Sequence, residues 1–175
     1  MKIDVVKVGY LETNVYILSK DGHTLIIDPG DEPEKIIKKV NGKVDGIIIT
    51  HHHFDHIGAL DDIEEKYDAK VYDRYNLKEG KNQIGEFVFE VIYTPGHTDD
   101  LISIYFKEDE SLFCGDFIFK GSIGRFDFPE SDFNDMQESI KKIIKYPKTT
   151  HIYSGHEDKT TLGDEYKTLM SYLNM

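Results

Sequence analysis

Between Thr50 and Ala59 the chain reads Thr-His-His-His-Phe-Asp-His-Ile-Gly-Ala, which puts His51, His53, Asp55 and His56 within six residues. The stretch follows Ile47-Ile48-Ile49, a β-branched apolar run that reads as a buried strand ending at a sheet edge. In an extended or turning backbone, residues two apart share a side. His51 and His53 can therefore converge on one point, while Asp55 and His56, where the chain turns, aim elsewhere. That is ligand geometry for one metal ion, with two ligands left over for a second. Imidazoles and a carboxylate suit zinc, iron or manganese and differ from thiolate-rich structural zinc sites. The plainer alternatives are a polar surface loop or a tag remnant. A tag would lie at a terminus and would not place an Asp before its last His.

A length of 175 residues accommodates one domain with a substantial core, and we take residues 1–175 as that domain. Asp and Glu number 33 against 21 Lys and Arg, a formal net charge of −12. A field of that sign disfavours nucleic acid and anionic membranes as partners, but not a small anionic substrate, because bound dications reverse the local potential. Cys114 is the only cysteine, so there is no intramolecular disulfide and the histidines must carry any metal. We read Cys114 itself as strand packing rather than a redox group. The segment Met1 to Lys7 includes Asp4 and no long apolar core, so it reads as a first strand and not a signal peptide. No apolar run approaches the roughly 20 residues that span a bilayer. The expectation is a soluble, cytoplasmic protein.

The apolar pattern predicts a β-meander, Lys2 to Val8, Asn14 to Ser19 and Thr24 to Asp28, with a hairpin at Asp21-Gly22. Asp31 is placed to cap a helix with Pro33 and Glu34 in its first turn, Ile36, Ile37 and Val40 on its apolar side, and Asn41-Gly42 at its end. Ala59 to Tyr67 reads as a helix. Ala69 to Tyr72, Glu86 to Thr94, Leu101 to Phe106 and Glu110 to Cys114 read as strands. Asp132 caps a helix to Tyr146. Thr150 to Ser154 is a last strand and Leu162 to Leu173 a last amphipathic helix. Strands arriving in clusters among helices point to α/β layers with mixed sheets.

Three strand ends carry further ligand-type residues: His97 after Thr94-Pro95-Gly96, Asp116 after Cys114-Gly115, and His156 after Ser154-Gly155. Each is weak alone, but together with the His-rich turn they are hard to explain as independent accidents. His52 and Phe54 read as non-ligands, and His23 and His151 as structural or exposed.

With these residues in place, the chain resembles the metallo-β-lactamase-fold hydrolases, whose pattern is H-x-H-x-D-H followed by His, Asp and His at successive strand ends. All seven positions occur in order as His51, His53, Asp55, His56, His97, Asp116 and His156. Within that superfamily it is most similar to the glyoxalase II (hydroxyacylglutathione hydrolase) group, through Thr50 to His56, Gly121-Ser122-Ile123-Gly124-Arg125, and Gly155-His156 with Thr160-Thr161-Leu162-Gly163. It looks like a short form, without the C-terminal helical region that helps the group bind glutathione. It also departs from the group at Asp99-Asp100-Leu101 and at Phe126.

The resemblance implies a four-layer αββα sandwich with two mixed β-sheets and the metals at one edge. It implies two divalent ions, zinc first, with iron or manganese as alternatives. His51, His53 and His97 would hold one ion, Asp55, His56 and His156 the other, and Asp116 would bridge them. Asp55 and Asp116 would be the catalytic carboxylates. A metal-bridging hydroxide would attack a small thioester or ester, S-2-hydroxyacyl glutathione in particular. Arg125 would either contact a substrate carboxylate or pair with an acid such as Asp127. The alternative reading is a persulfide dioxygenase with one iron on His51, His97 and Asp116, and a third is a non-catalytic domain with a vestigial site.

Overall fold

The computed structural model describes all residues, Met1–Met175. The first sheet contains β1 (Lys2–Val8), β2 (Thr13–Lys20), β3 (His23–Ile27), β4 (Lys43–Ile48) and β5 (Val71–Tyr72) in that spatial order. Its first three strands are the antiparallel meander, and β4 and β5 are added in parallel. The turn between β2 and β3 needs two left-handed residues, and Asp21-Gly22 supplies them at φ 50° and 82°. Short helices α1 (Pro33–Ile37), α2 (Phe54–Ile57) and α3 (Leu60–Tyr67) lie between these strands.

The second sheet is built from β6 (Gly80–Ile84), β7 (Phe87–Tyr93), β8 (Ile102–Phe106), β9 (Ser111–Gly115), β12 (His151–Ser154) and β13 (Thr160–Thr161), in the order β13-β12-β9-β8-β7-β6. It is mixed too, because β12 runs parallel to β9 while the other pairs are antiparallel. A small hairpin, β10 (Ile118–Phe119) and β11 (Ser122–Ile123), follows β9. Helices α4 (Phe133–Ile143) and α5 (Leu162–Leu173) pack on this sheet.

Alternation along the strands explains the layers. In β2, Tyr16 and Leu18 face a core shared with Phe89, Ile104 and Phe113 of the second sheet, whereas Val15 and Ile17 face Ile36 and Ile63 of α1 and α3. On the far side, Tyr105, Leu112 and Ile152 meet Met136, Ile140 and Leu169 of α4 and α5. Helix, sheet, sheet and helix thus enclose three apolar cores, the αββα arrangement. No helix is long and apolar enough to cross a membrane.

Asp132 caps α4 as its sequence predicts, its carboxylate accepting from the backbone N–H groups of Asn134 and Asp135. The expectation for α1 is corrected. Glu32, not Asp31, is its first flanking residue, at φ 49°, and its carboxylate accepts from Gly9 N–H at 3.0 Å and Lys35 Nζ at 2.7 Å. The helix stops at Ile37 instead of reaching Asn41-Gly42. Strand β6, Gly-Lys-Asn-Gln-Ile, lacks the apolar signal because it is an edge strand paired only with β7.

Candidate metal centre

The ligand-type residues sit where strands end at one edge of the two sheets. Ile49 and Thr50 carry the chain from β4 to His51, and α2 then turns Asp55 and His56 back toward it. His97 follows β7, Asp116 follows β9 and His156 follows β12. Two glycines allow the close approach. A Cβ on Gly115, at φ +49°, would lie 2.4 Å from Thr50 Oγ1, and one on Gly155 would lie 2.2 Å from Asp116 Oδ1.

The side chains form two adjoining groups whose potential ligand atoms lie within 4.8 Å of one another, His51, His53, His97 and Asp116, then Asp55, His56 and His156, and a third set, Asp28 with His51 and His56, overlaps both. Asp116 stands between them. Its Oδ1 is 3.3 Å from His56 Nε2, and its Oδ2 is 3.4 Å from His156 Nε2 and 3.7 Å from His97 Nε2. Asp55 Oδ2 is 3.2 Å from His156 Nε2 and 3.5 Å from His56 Nε2.

The outward-facing ring nitrogens define what the inner ones can do. His97 Nδ1 lies 2.8 Å from the Arg125 carbonyl oxygen and His156 Nδ1 3.0 Å from that of Leu11. His56 Nδ1 is 3.0 Å from Asp28 Oδ2, and His53 Nε2 is 3.1 Å from Glu130 Oε1. His51 Nδ1 is 3.2 Å from Thr50 Oγ1, whose own proton goes to Asp28 Oδ2 at 2.6 Å. These partners all accept, so each outer nitrogen carries a proton, and a ring that is neutral, as a metal ligand must be, turns a lone pair inward. With both rings neutral and their outer nitrogens protonated, His53 Nδ1 and His97 Nε2 face each other at 3.1 Å as two acceptors. His51 Nε2, His56 Nε2 and Asp116 Oδ1 are buried with no aligned hydrogen bond. A convergence of acceptors with nothing to accept from is unfavourable unless cations sit among them. The donor set therefore fits metal ions.

In a metal-free cluster protons take that place. Burial opposes charge on His56 and His156, but the adjoining carboxylates of Asp116 and Asp28 lift His56 to about 10, and those of Asp116 and Asp55 lift His156 to about 9. Burial likewise opposes the Asp55 anion, yet His156, His56 and Thr13 bring its pKa down to about 2. Burial dominates at His51 and lowers its pKa well below the usual value.

Above the cluster opens a cavity of about 600 Å3, walled by Leu11, Phe54, Phe119 and Phe128 and rimmed by Arg125 and Glu157. A larger cleft of about 750 Å3 lies away from the histidines, beside α4, where Lys142 is already paired with Glu79 at 3.0 Å. Arg125 donates from Nε and Nη2 to the two oxygens of Asp127 at 2.9 and 3.0 Å, and its guanidinium lies 4.2 Å from the Phe128 ring centroid. His52 turns away from the cluster to Asp100 at 2.5 Å and Asp73 at 3.5 Å. Phe54 is exposed at the cavity wall, His23 bonds Asp45, and His151 is exposed at the start of β12.

Sequence reasoning missed the residues that orient the cluster. Asp28, buried and at φ 53°, binds Thr50 and His56, and Thr13 Oγ1 donates to Asp55 Oδ2 at 2.8 Å. The strand-end rule that found Asp116 would also have flagged Asp28. Nothing local marks Thr13 or Glu130.

The chain has relatives among known proteins. Residues 8–79 and 75–156 match the family model "Metallo-beta-lactamase superfamily". The chain is 34% identical to "Probable metallo-hydrolase YqgX" of Bacillus subtilis, over 94% of each chain. It is 28% identical to "Hydroxyacylglutathione hydrolase GloC" of Haemophilus influenzae over 96% of each. It is also 33% identical to a "Hydroxyacylglutathione hydrolase" of Psychromonas ingrahamii, covering 88% of this chain and 65% of that longer relative. Among solved structures, the BLEG-1 B3 metallo-beta-lactamase superposes with a TM-score of 0.90 at 32% identity, covering 95% of this chain and 97% of that one. TTHA1623 in a di-iron-bound form gives 0.86 at 32% identity over 94% and 98%. With the fold, the strand-end cluster and a family match spanning most of its length, the chain belongs to the metallo-beta-lactamase superfamily.

Proposed function

We propose that this protein is a metal-dependent hydrolase of small thioesters or related esters, and that an S-2-hydroxyacyl glutathione is the first substrate to test. The observation that carries the reading is the set of inward acceptors under an open cavity with apolar walls: His53, Asp55, His97, Asp116 and His156 line its floor, and His51 and His56 are buried behind them. His51, His53 and His97 would hold one ion, Asp55, His56 and His156 the second, and Asp116 would bridge them. Two such ions, when bound, supply an acidified water and the positive charge that steadies a tetrahedral oxyanion.

The chain's own residues supply position and environment. Asp28, Thr50 and the carbonyls of Leu11 and Arg125 fix the tautomers of the imidazoles. Thr13 holds Asp55 by Oδ2, so that this carboxylate keeps its direction and can orient the attacking water. Leu11, Phe54, Phe119 and Phe128 give the scissile group apolar walls to lie against. A thiol leaves as thiolate, which needs no proton from the site. The names of two relatives, hydroxyacylglutathione hydrolases, support the thioester class, and the di-iron-bound neighbour supports a paired site.

Metal analysis of protein isolated without added metal, together with thioester hydrolysis assays, tests the proposal. Near two equivalents per chain with thioester cleavage is the expected result. One iron per chain with oxygen consumption on glutathione persulfide would replace the reading with a dioxygenase. An Asp116→Ala variant that kept both its metal and its activity would remove the bridging role.

A further inference from the structure

We propose that Glu130 is a positioning residue for the metal centre, acting through His53; this rests on the function proposed above. Five imidazoles line the cluster, and each has its outer nitrogen tied down. Four of the anchors are main-chain carbonyls or buried side chains: the carbonyls of Leu11 and Arg125, the buried Asp28 carboxylate and the buried Thr50 hydroxyl. The fifth differs. His53 Nε2 is held at 3.1 Å by Glu130, an exposed side chain on the loop before α4 and 77 residues away in sequence.

His53 is also the ring with most need of an anchor. Its side chain is 25% exposed, against 21% for His156, 4% for His97 and none for His56. A neutral imidazole has two tautomers, and only the one with the proton on Nε2 offers a lone pair at Nδ1, the atom facing His97 Nε2 at 3.1 Å. A carboxylate beside Nε2 selects that tautomer, sets the ring plane and increases the basicity of Nδ1. The loop that carries Glu130 is itself fastened to the centre. Phe128 packs edge-on against His53 and His97 with centroids 5.5 and 5.6 Å away, and Ser131 Oγ donates to the His97 carbonyl at 2.6 Å. Glu130 therefore reaches His53 from a defined position despite its exposure.

The test is zinc affinity, measured by competition with a chromophoric chelator and resolved into two constants. The series is wild type, Glu130→Ala, Glu130→Gln, His53→Ala and the double variant His53→Ala/Glu130→Ala. Glu130→Ala should weaken one zinc by about 10–100-fold, the range for outer partners of histidine ligands, leaving the other zinc and the melting temperature of the metal-free protein unchanged. Glu130→Gln keeps an acceptor oxygen and should recover most of the loss. With His53 already replaced, removing Glu130 should change nothing, because its only route to the metal is gone. Unchanged zinc constants in Glu130→Ala, or a loss that persists without His53, would overturn the inference while leaving the hydrolase reading intact. Wild-type protein that binds no zinc, iron or manganese would overturn both.

Discussion

Asp28 Oδ2 lies 3.0 Å from His56 Nδ1, and both residues are buried. The same carboxylate accepts the Thr50 amide at 2.7 Å and the Thr50 hydroxyl at 2.6 Å, and Thr50 in turn contacts His51 Nδ1. One anion at the end of β3 thus orients an imidazole from each half of the cluster. It does so from φ 53°, a backbone region that costs a non-glycine residue energy and is tolerated best by Asp and Asn.

Replacing Asp28 should therefore affect metal binding more than folding if the shape is kept. Asp28→Asn can adopt the same backbone but turns an amide toward a donor, at Thr50 or at His56. We expect metal affinity to fall by about 10–100-fold with a small change in melting temperature. Asp28→Ala strands several buried donors at about 1–3 kcal/mol each and should unfold well below the wild type. Elemental analysis and thermal melts of the two variants separate these effects.

Gly155 offers a way to disturb the centre without removing a ligand. An alanine Cβ there would sit 2.2 Å from Asp116 Oδ1 and 2.6 Å from His56 Cε1, distances no side chain tolerates. Asp116 must then move from between the two groups. Gly155→Ala should cost about 1–3 kcal/mol of stability from overpacking and should lower bound metal well below that of the wild type. A variant that retained full metal content would show that Asp116 can shift without consequence.

The strand ends explain why so much of the site was visible in the sequence. His51, His97, Asp116 and His156 each follow an apolar run that ends at the sheet edge, so one local rule, polar ligand-type residue after strand, collects them. The antiparallel meander and the helices α4 and α5 were legible for the same reason, since their apolar periods are set by burial. Edge strand β6 and the start of α1 were not, because solvent or a distant backbone group replaces the local signal: Glu32 bonds Gly9, 23 positions away. Glu130 and Thr13 are outer partners chosen by tertiary proximity alone.

Cys114 should be inert in the native protein. It has no exposed surface, donates toward the Ile118 carbonyl at 3.5 Å, and burial pushes its thiol up to about 12. Ellman's reagent should find no reactive thiol under native conditions and one per chain in denaturant. Rapid native labelling would mean that β9 opens near Asp116 on the timescale of the assay.

Asp45 supplies a prediction about acid stability away from the metal centre. Its side chain is 2% exposed, lies 2.8 Å from His23 Nδ1 and 3.3 Å from Lys43 Nζ, and would collide with any side chain on Gly85. Burial raises its pKa, but the His23 and Lys43 contacts outweigh that and leave it below the ordinary carboxylate value. A carboxylate with a depressed folded-state pKa binds its proton more readily when unfolded. Its stabilising contribution is therefore complete above the unfolded value of about 3.9 and disappears as pH falls through the lower folded value. Asp45→Ala should be destabilised at pH 7 by about 1.5–3 kcal/mol, as expected for lost hydrogen bonds to a charged group. The gap between the two proteins should narrow as the pH drops below the ordinary carboxylate range. Urea denaturation at pH 7 and near pH 3, on metal-free protein so that the centre does not contribute, measures both numbers. A gap that stayed constant would mean that Asp45 stabilises the β3–β4 pairing through packing and not through its charge.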